Sequence, residues 1–253
     1  MPARFLGVAG QVSDSIVRLI DHALLHPTLT DSQLIAGCEL ARRLRTASVC
    51  IKPWAVSLAC DLLADSDVAI CTVIGFPHGS EPTEVKAFAA RTACEDGASE
   101  LDMVVNVGKV LSRDWEYVAA DIRAVVEVAH AHSALAKVIF ENEFLPEDSL
   151  KIELCRICSD VGADFVKTST GFGFVPRPEG GFQTIGATDA DLVLMRKHAA
   201  PHVKLKASGG VRSYADALRV VKLGAARIGT SSTEAIAAGE ETGRHEIAGR
   251  GSY

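Results

Sequence analysis

The chain has 253 residues, 48% of them hydrophobic and 23% charged, with a formal net charge of −6. That is an ordinary globular composition, neither disordered nor membrane-spanning, and long enough to bury about three quarters of its unfolded surface in one core. The acidic balance carries no block of lysine or arginine, so nucleic-acid binding has no electrostatic support and any bound phosphate has to be captured locally.

A brief apolar patch, Phe5 to Ala9, is too short for a signal-peptide core. Ile16 to Leu25 reads as a helix leading into a short first strand near Leu19 to Leu24. Thr30 or Asp31 caps a helix with Leu34, Ile35, Cys38, Leu40 and Ala41 at helical spacing. Ala47 to Ile51 is a short strand stopped by Pro53, Ala55 to Ala64 a helix, and Val68 to Ile74 a strong strand, far short of a membrane span. A helix from Pro82 closes at Gly97. Glu100 to Val105 is a strand, Trp115 to His132 a helix, Ala136 to Glu141 a strand, and Glu147 to Val161 a helix with Gly162 just past its end. The strand Ala163 to Val166 opens into a glycine-rich excursion. Asp189 to Ala199 (helix), Val203 to Ala207 (strand), Tyr214 to Leu223 (helix), Ala226 to Gly229 (strand) and a last helical turn, Thr233 to Ala238, complete the pattern. This alternation predicts parallel βα units; eight strands suit a closed barrel, with a doubly wound sheet as the rival. No linker interrupts the chain, so 1–253 reads as one domain, with 1–15 an N-terminal extension and 240–253 a flexible C-terminal tail. Seven cysteines between Cys38 and Cys158 read as reduced thiols of a cytoplasmic protein, and Cys155-x-x-Cys158, inside a helical pattern, as core packing.

The most informative stretch is Val166-Lys167-Thr168-Ser169-Thr170-Gly171-Phe172. A lysine at the end of an apolar strand is costly, because burial disfavours its charged form; the same penalty makes a neutral amine a nucleophile towards carbonyls. The plainer reading is an ammonium reaching solvent. A second strand ending in lysine, Lys204-Leu205-Lys206-Ala207-Ser208-Gly209-Gly210, tips the balance, since a neighbouring ammonium suppresses protonation. Asp102, a carboxylate within Leu101-Asp102-Met103-Val104, needs a cationic partner or a proton-relay role.

These segments, together with Glu100 to Gly108, Gly75-Phe76-Pro77 with Gly79, and Arg227-Ile228-Gly229-Thr230-Ser231-Ser232, resemble the signature segments of the deoxyribose-phosphate aldolases. The resemblance runs from about Ile20 to Gly239. It implies an α/β fold, a single (β/α)8 TIM barrel with a short N-terminal helix, and a class I lyase cleaving 2-deoxy-D-ribose 5-phosphate through a lysine Schiff base. Lys167 would be the nucleophile. Lys206 would assist it, favoured over Lys204, which lies nearer the barrel floor. Asp102 with Lys206 and a water would shuttle protons, and Tyr253 would assist proton transfer at the α-carbon. Thr170, Gly171, Gly209, Gly210, Gly229, Ser231 and Ser232 would bind substrate and cradle its phosphate, the plain alternative for each glycine pair being a tight turn. Asp21, near the same mouth, is grouped with these substrate-binding residues. The expected partner is a phosphosugar, with no nucleic acid, no membrane, and a possible homodimer.

Ala23, His26, Asn142, Glu143 and Ala89 depart from the family pattern, and the Phe174 to Ile185 loop, with Arg177 and Gly180-Gly181, is longer than usual. These departures bear on substrate preference, so another Schiff-base aldolase is the nearest alternative, and a non-catalytic phosphosugar-binding barrel the alternative of a different class. The eight histidines are scattered, and His130-x-His132 points its rings apart on a helix, so no metal is expected. Without a Gly-x-Gly-x-x-Gly fingerprint, no cofactor is expected either.

Overall fold

The computed structural model describes residues 15–250. A 3-10 turn, Ile16–Leu19, leads into β1 (Ile20–Leu24), followed by α1 (Asp31–Leu44), β2 (Ser48–Ile51), α2 (Val56–Leu63), β3 (Ala69–Ile74), α3 (Thr83–Glu95) and β4 (Glu100–Val104). Next come α4 (Val107–Leu111), α5 (Trp115–Ala131), β5 (Leu135–Ile139), α6 (Asp148–Val161) and β6 (Phe165–Lys167). The chain then forms β7 (Val175–Pro176), β8 (Phe182–Gln183), α7 (Asp189–His198), β9 (Lys204–Ser208), α8 (Tyr214–Lys222), β10 (Ala225–Thr230) and α9 (Thr233–Arg250). Eight strands close in the order β1-β10-β9-β6-β5-β4-β3-β2, every neighbouring pair parallel. The fold is the TIM barrel that the sequence implies. Among the described residues no helix is long and apolar enough to cross a membrane.

Local signals account for several element ends. Thr30 caps α1 in a capping box with Gln33, whose side chain accepts from the Thr30 N–H at 2.9 Å. Gly162 ends α6 in the left-handed region, φ 77°. Three features differ from expectation. The one-and-a-half-turn α4 was not anticipated; Asn106 caps it by accepting from Lys109 N at 3.1 Å. The excursion after β6 is an antiparallel hairpin, β7 with β8. The last helix does not stop at Ala238 but continues to Arg250, through most of the segment read as a tail. Its Gly239 and Gly243, which look like helix breakers, lie four apart on one face, and a Cβ on either would meet Tyr214 at 2.7 and 3.1 Å. The glycines serve close packing on α8. Glu240, also within the expected tail, is buried and accepts from Ser15 Oγ at 2.6 Å and Ile16 N at 3.0 Å, tying the N-terminal turn to α9.

The period of two along each strand sorts two environments. Leu101 and Met103 of β4, Ala136 and Val138 of β5, and Leu205 and Ala207 of β9 belong to one continuous apolar core. Between them, Asp102, Lys137 and Lys206 are buried charged residues. The apolar core is therefore the layer between strands and helices. The barrel interior, in most such folds a stack of branched aliphatic side chains, is here largely ionic among the described residues, with a small cluster of Cys50, Cys71 and Val73 and the ring of Phe165.

A separate buried pair ties α3 to α5: Lys86 Nζ lies 2.6 Å from Asp121 Oδ2 and donates to Val104 O at 3.0 Å. Breaking such a pair leaves an uncompensated charge, so Lys86→Met should cost roughly 3–5 kcal/mol of unfolding free energy. Lys86→Met combined with Asp121→Leu should recover most of it. Urea unfolding of both variants measures this, and a double variant as unstable as the single one would contradict it.

Candidate active site

Strands β1, β4, β5, β6, β9 and β10 each bring a charged group to the barrel axis. Asp102 is the third residue of β4, and its register partner across the β4–β5 pair is Lys137. Lys167, the last residue of β6, is in register with Lys206 of β9, which is in register with Arg227 of β10. Three amines converge on the Asp102 carboxylate: Lys167 Nζ at 2.6 Å and Lys206 Nζ at 2.7 Å from Oδ2, and Lys137 Nζ at 2.7 Å from Oδ1. Asp102 is fully buried, and neither lysine of the β6–β9 pair is more than 2% exposed.

The electrostatics follow from that convergence. Burial pushes the Asp102 carboxyl up, but the lysines around it, Lys137 first and then Lys167 and Lys206, outweigh it and hold the group well below the usual carboxylate range. Burial opposes the charge of Lys206 too, and Asp102 and Asp21 reverse the effect, raising its pKa. For Lys137 the same contest, with Asp102, Cys71, Glu100 and Asp21 as partners, ends well above the usual lysine value. Asp102 is thus an ionised hub.

Asp21 belongs to this network and does not line the mouth cavity. Its Oδ2 is 2.5 Å from Lys206 Nζ, its Oδ1 accepts from Arg227 Nη1 at 2.5 Å and from Ser48 Oγ at 2.7 Å, and it is 1% exposed. Burial raises its carboxyl and Lys206, Lys137 and Arg227 together lower it, with a net downward shift. A contact with substrate, the role grouped with it above, would have to displace one of these partners. Lys204 is exposed at the strand start, its amine 5.6 Å from the Phe165 ring centroid, so Lys206 is the lysine that meets Lys167.

Above the ion pairs the barrel opens into a cavity of about 580 Å³. Thr170, Gly171, Gly209, Gly210, Gly229, Ser231 and Ser232 all line it; the residues assigned to phosphate are together. Ser231 and Ser232 immediately precede α9, so the positive end of that helix faces the opening. A side chain at Gly229 would meet Ser208 Oγ at 2.6 Å and Lys206 Cε at 3.2 Å, so the glycine keeps room for Lys206 as well as for a ligand. The opposite wall is apolar and aromatic: Phe172 stands edge-on to Phe76 at 5.4 Å and tilted against His26 at 6.5 Å. Of the long loop, Phe174 and Thr184 reach the cavity, while Arg177 is exposed and outside its lining. The return leg of the hairpin is locked to the phosphate loop: Ala187 N donates to Gly209 O at 3.0 Å, and a Cβ on Gly186 would collide with Gly209 C at 2.4 Å. Glu143 fastens the same leg by accepting from Gly186 N. Tyr253 lies outside the described residues.

Several site residues escaped the sequence reading. Lys137 carries the same signal as Lys167, a lysine within an apolar strand. Glu100 and Arg227 sit inside segments already singled out. Glu141 gives no such signal; its backbone is left-handed, φ 55°, and its carboxylate accepts from Thr170 N at 3.0 Å and from Thr170 Oγ1, bracing the loop after Lys167. Cys50, Cys71 and Asp102 form the one donor group with metal-like spacing among the described residues. Lys137 Nζ already lies 3.2 Å from Cys71 Sγ and 2.7 Å from Asp102 Oδ1, supplying the positive charge there.

The chain matches the family model described as DeoC/LacD family aldolase over residues 15–248. It is 47% identical over 232 residues to a deoxyribose-phosphate aldolase of Halalkalibacterium halodurans, covering 91% of this chain and 98% of that one. A deoxyribose-phosphate aldolase of Thermococcus gammatolerans is 46% identical over 230 residues, 90% of this chain and 97% of its own. Among solved structures, the tetrameric deoxyribose phosphate aldolase of Aeropyrum pernix superposes with a TM-score of 0.79 at 33% identity, covering 90% of this chain and 91% of that one. An aldolase designated QR15 gives 0.81 at 36%, covering 92% and 98%.

Replacing Asp102 with asparagine strips three amines of their shared counter-charge, and the expected cost at neutral pH is roughly 3–5 kcal/mol of stability. The sign against pH follows from the depressed carboxyl. Its contribution is complete above the unfolded value of 3.8 and is lost as pH falls through the lower folded value. Urea midpoints of wild type and Asp102→Asn should therefore differ at pH 7 and begin to converge only as pH falls below about 4; equal midpoints at pH 7 would show that the amines are not held as ion pairs.

Proposed function

Because this chain belongs to the DeoC/LacD family of aldolases, we infer that it is a deoxyribose-phosphate aldolase, a lyase that reversibly cleaves 2-deoxy-D-ribose 5-phosphate to D-glyceraldehyde 3-phosphate and acetaldehyde. The observation that carries the mechanism is the Lys167 amine 2.6 Å from an ionised, fully buried carboxylate, at the end of the strand whose following loop, with Thr170 and Gly171, lines the cavity.

In the cleavage direction the Lys167 amine adds to C1 of the open-chain sugar, and the carbinolamine loses water to give an iminium. Removal of the C3 hydroxyl proton lets the C2–C3 bond break, its electron pair passing through C2 to the iminium nitrogen. Glyceraldehyde 3-phosphate leaves, the enamine is protonated at C2, and hydrolysis frees acetaldehyde and the amine. Asp102 Oδ2, shared by Lys167 and Lys206, is within direct reach of the proton that must leave the attacking nitrogen. The loops after β6, β9 and β10 hold the phosphate through N–H groups and hydroxyls.

Residues 1–253 act as one barrel domain in this reading. All seven cysteines are free thiols, which supports a cytoplasmic location. A homodimer is one assembly such a barrel could take, and the Aeropyrum pernix relative is tetrameric.

Mass spectrometry after borohydride reduction with 2-deoxyribose 5-phosphate should find an ethyl adduct on Lys167. An adduct on another lysine would refute the assignment, and none with either the sugar or acetaldehyde would favour a binding protein. Tyr253 is assigned proton transfer at C2: its deletion should slow α-proton exchange severalfold with trapping intact, and unchanged exchange would remove it from the mechanism.

A further inference from the structure

The ion-pair cluster reaches below the reacting groups. Arg227 places Nη1 2.5 Å from Asp21 Oδ1 and Nη2 2.7 Å from Glu100 Oε1. Glu100 in turn takes Lys137 at 2.7 Å. Arg227 and Glu100 are absent from the cavity lining. The connected cluster thus holds four cations, Lys137, Lys167, Lys206 and Arg227, against three carboxylates, Asp21, Glu100 and Asp102. One positive charge is in surplus when every amine is protonated.

The surplus does not fall evenly. Lys137 touches Asp102 and Glu100 and lies 3.7 Å from Asp21. Lys206 touches Asp21 and Asp102, and Arg227 touches Asp21 and Glu100. Lys167 alone has a single carboxylate, through an oxygen it shares with Lys206. A guanidinium does not give up a proton in proteins, so Arg227 is a fixed charge that the three amines must accommodate.

We propose that Arg227 and Glu100 are positioning residues that set the charge count of the cluster, so that Lys167 is the amine left uncharged and able to attack the substrate carbonyl. The inference rests on the assignment of Lys167 as nucleophile. Three facts support it. Lys137, Lys206 and Arg227 are all driven towards their charged forms by the carboxylates around them, against the burial that opposes each. Asp21 and Asp102 are both driven towards ionisation. The remaining titratable groups around the amine are the same in every variant below: Cys50 from β2, whose thiol is lowered chiefly by its bond from Cys71; Cys71 from β3, raised by burial; and Glu141 after β5, raised by burial and bonded to Thr170.

The charge count makes opposed predictions for neighbouring residues. Arg227→Met leaves three cations for three carboxylates, so no amine is in surplus. Glu100→Gln leaves four for two. The double variant leaves three for two, restoring a surplus of one. The measurement is the pH at which acetaldehyde, trapped by borohydride and read by intact mass, reaches half its plateau on Lys167. Arg227→Met should raise that midpoint by about one pH unit or more, the effect of a unit charge over roughly 10 Å at an effective dielectric of about 20. Glu100→Gln should lower it, and the double variant should return close to wild type. A purely structural role would reduce trapping in both single variants without moving their midpoints in opposite directions, and that result overturns the proposal. Should Arg227→Met fail to fold, the midpoints of Glu100→Gln and the double variant decide: the first lowered and the second restored supports the proposal, any other order refutes it. No adduct on Lys167 in wild type at any pH would instead refute the nucleophile assignment itself.

Discussion

Seven ionised or ionisable side chains inside a barrel are tolerable only because they touch one another. Leaving a single buried charge unpaired in such an interior costs several kcal/mol, a large share of a domain's whole stability margin. The geometry that avoids this centres on Asp102, whose two oxygens between them receive three lysines. From that constraint the rest of the architecture follows. With the axis occupied by ion pairs, apolar burial has to come from the layer between strands and helices, and β4 and β5 alternate accordingly: Leu101 and Met103 outward, Asp102 inward; Ala136 and Val138 outward, Lys137 inward. A one-residue slip of β4 or β5 would exchange charge for hydrocarbon on both faces at once.

The same arrangement separates two tasks that a phosphosugar imposes. The amine must react in a dry, charge-crowded base, while the phosphate must be held where the solvent begins. Gly229 stands between them, its missing side chain leaving space for Ser208 and Lys206 on one side and the cavity on the other. Thr168 Oγ1 links β6 to β9 by donating to Ser208 O at 2.9 Å and accepting from Ser208 N at 3.0 Å. The end of the strand bearing the nucleophile and the end of the strand leading to the phosphate cradle are therefore one hydrogen-bonded unit.

Much of this was legible in the chain itself, for one reason: a charged residue in an apolar strand announces an expense that must be met. Lys167, Lys206 and Asp102 were readable on that ground. Lys137, in Leu135-Ala136-Lys137-Val138-Ile139, obeys the same logic and needed only the same question asked of it. Arg227 was harder, because Ala225-Ala226-Arg227 reads as a strand beginning, where an arginine normally reaches water. Glu141 was not readable, since its role depends on a left-handed backbone that no local residue signals. The hairpin and the length of α9 were missed for the opposite reason. Gly180-Gly181, Gly239 and Gly243 look like interruptions locally, and only their tertiary neighbours show a tight turn in one case and close helix packing in the other.

The departures from the family pattern acquire physical content when placed on the structure. Glu143 and the lengthened loop contact each other directly, the Glu143 carboxylate accepting from Gly186 N on the hairpin's return leg. His26 joins Phe172 on the aromatic wall. None of these changes touches the Asp102 hub, so they alter the shape of the mouth while leaving the base intact. The mouth itself is poor in formal charge: among the described residues, Arg212 is the one lysine, arginine, aspartate or glutamate that lines the cavity. The strongly held cations are committed to carboxylates below, and the chain as a whole is acidic. A phosphate approaching this site meets no broad positive field to steer it. Its capture has to depend on backbone donors, the end of α9 and the local charge of Arg212. Discrimination between sugar phosphates then rests on the position of the phosphate relative to the Lys167 amine, a distance fixed by the hydrogen-bonded union of β6, β9 and β10.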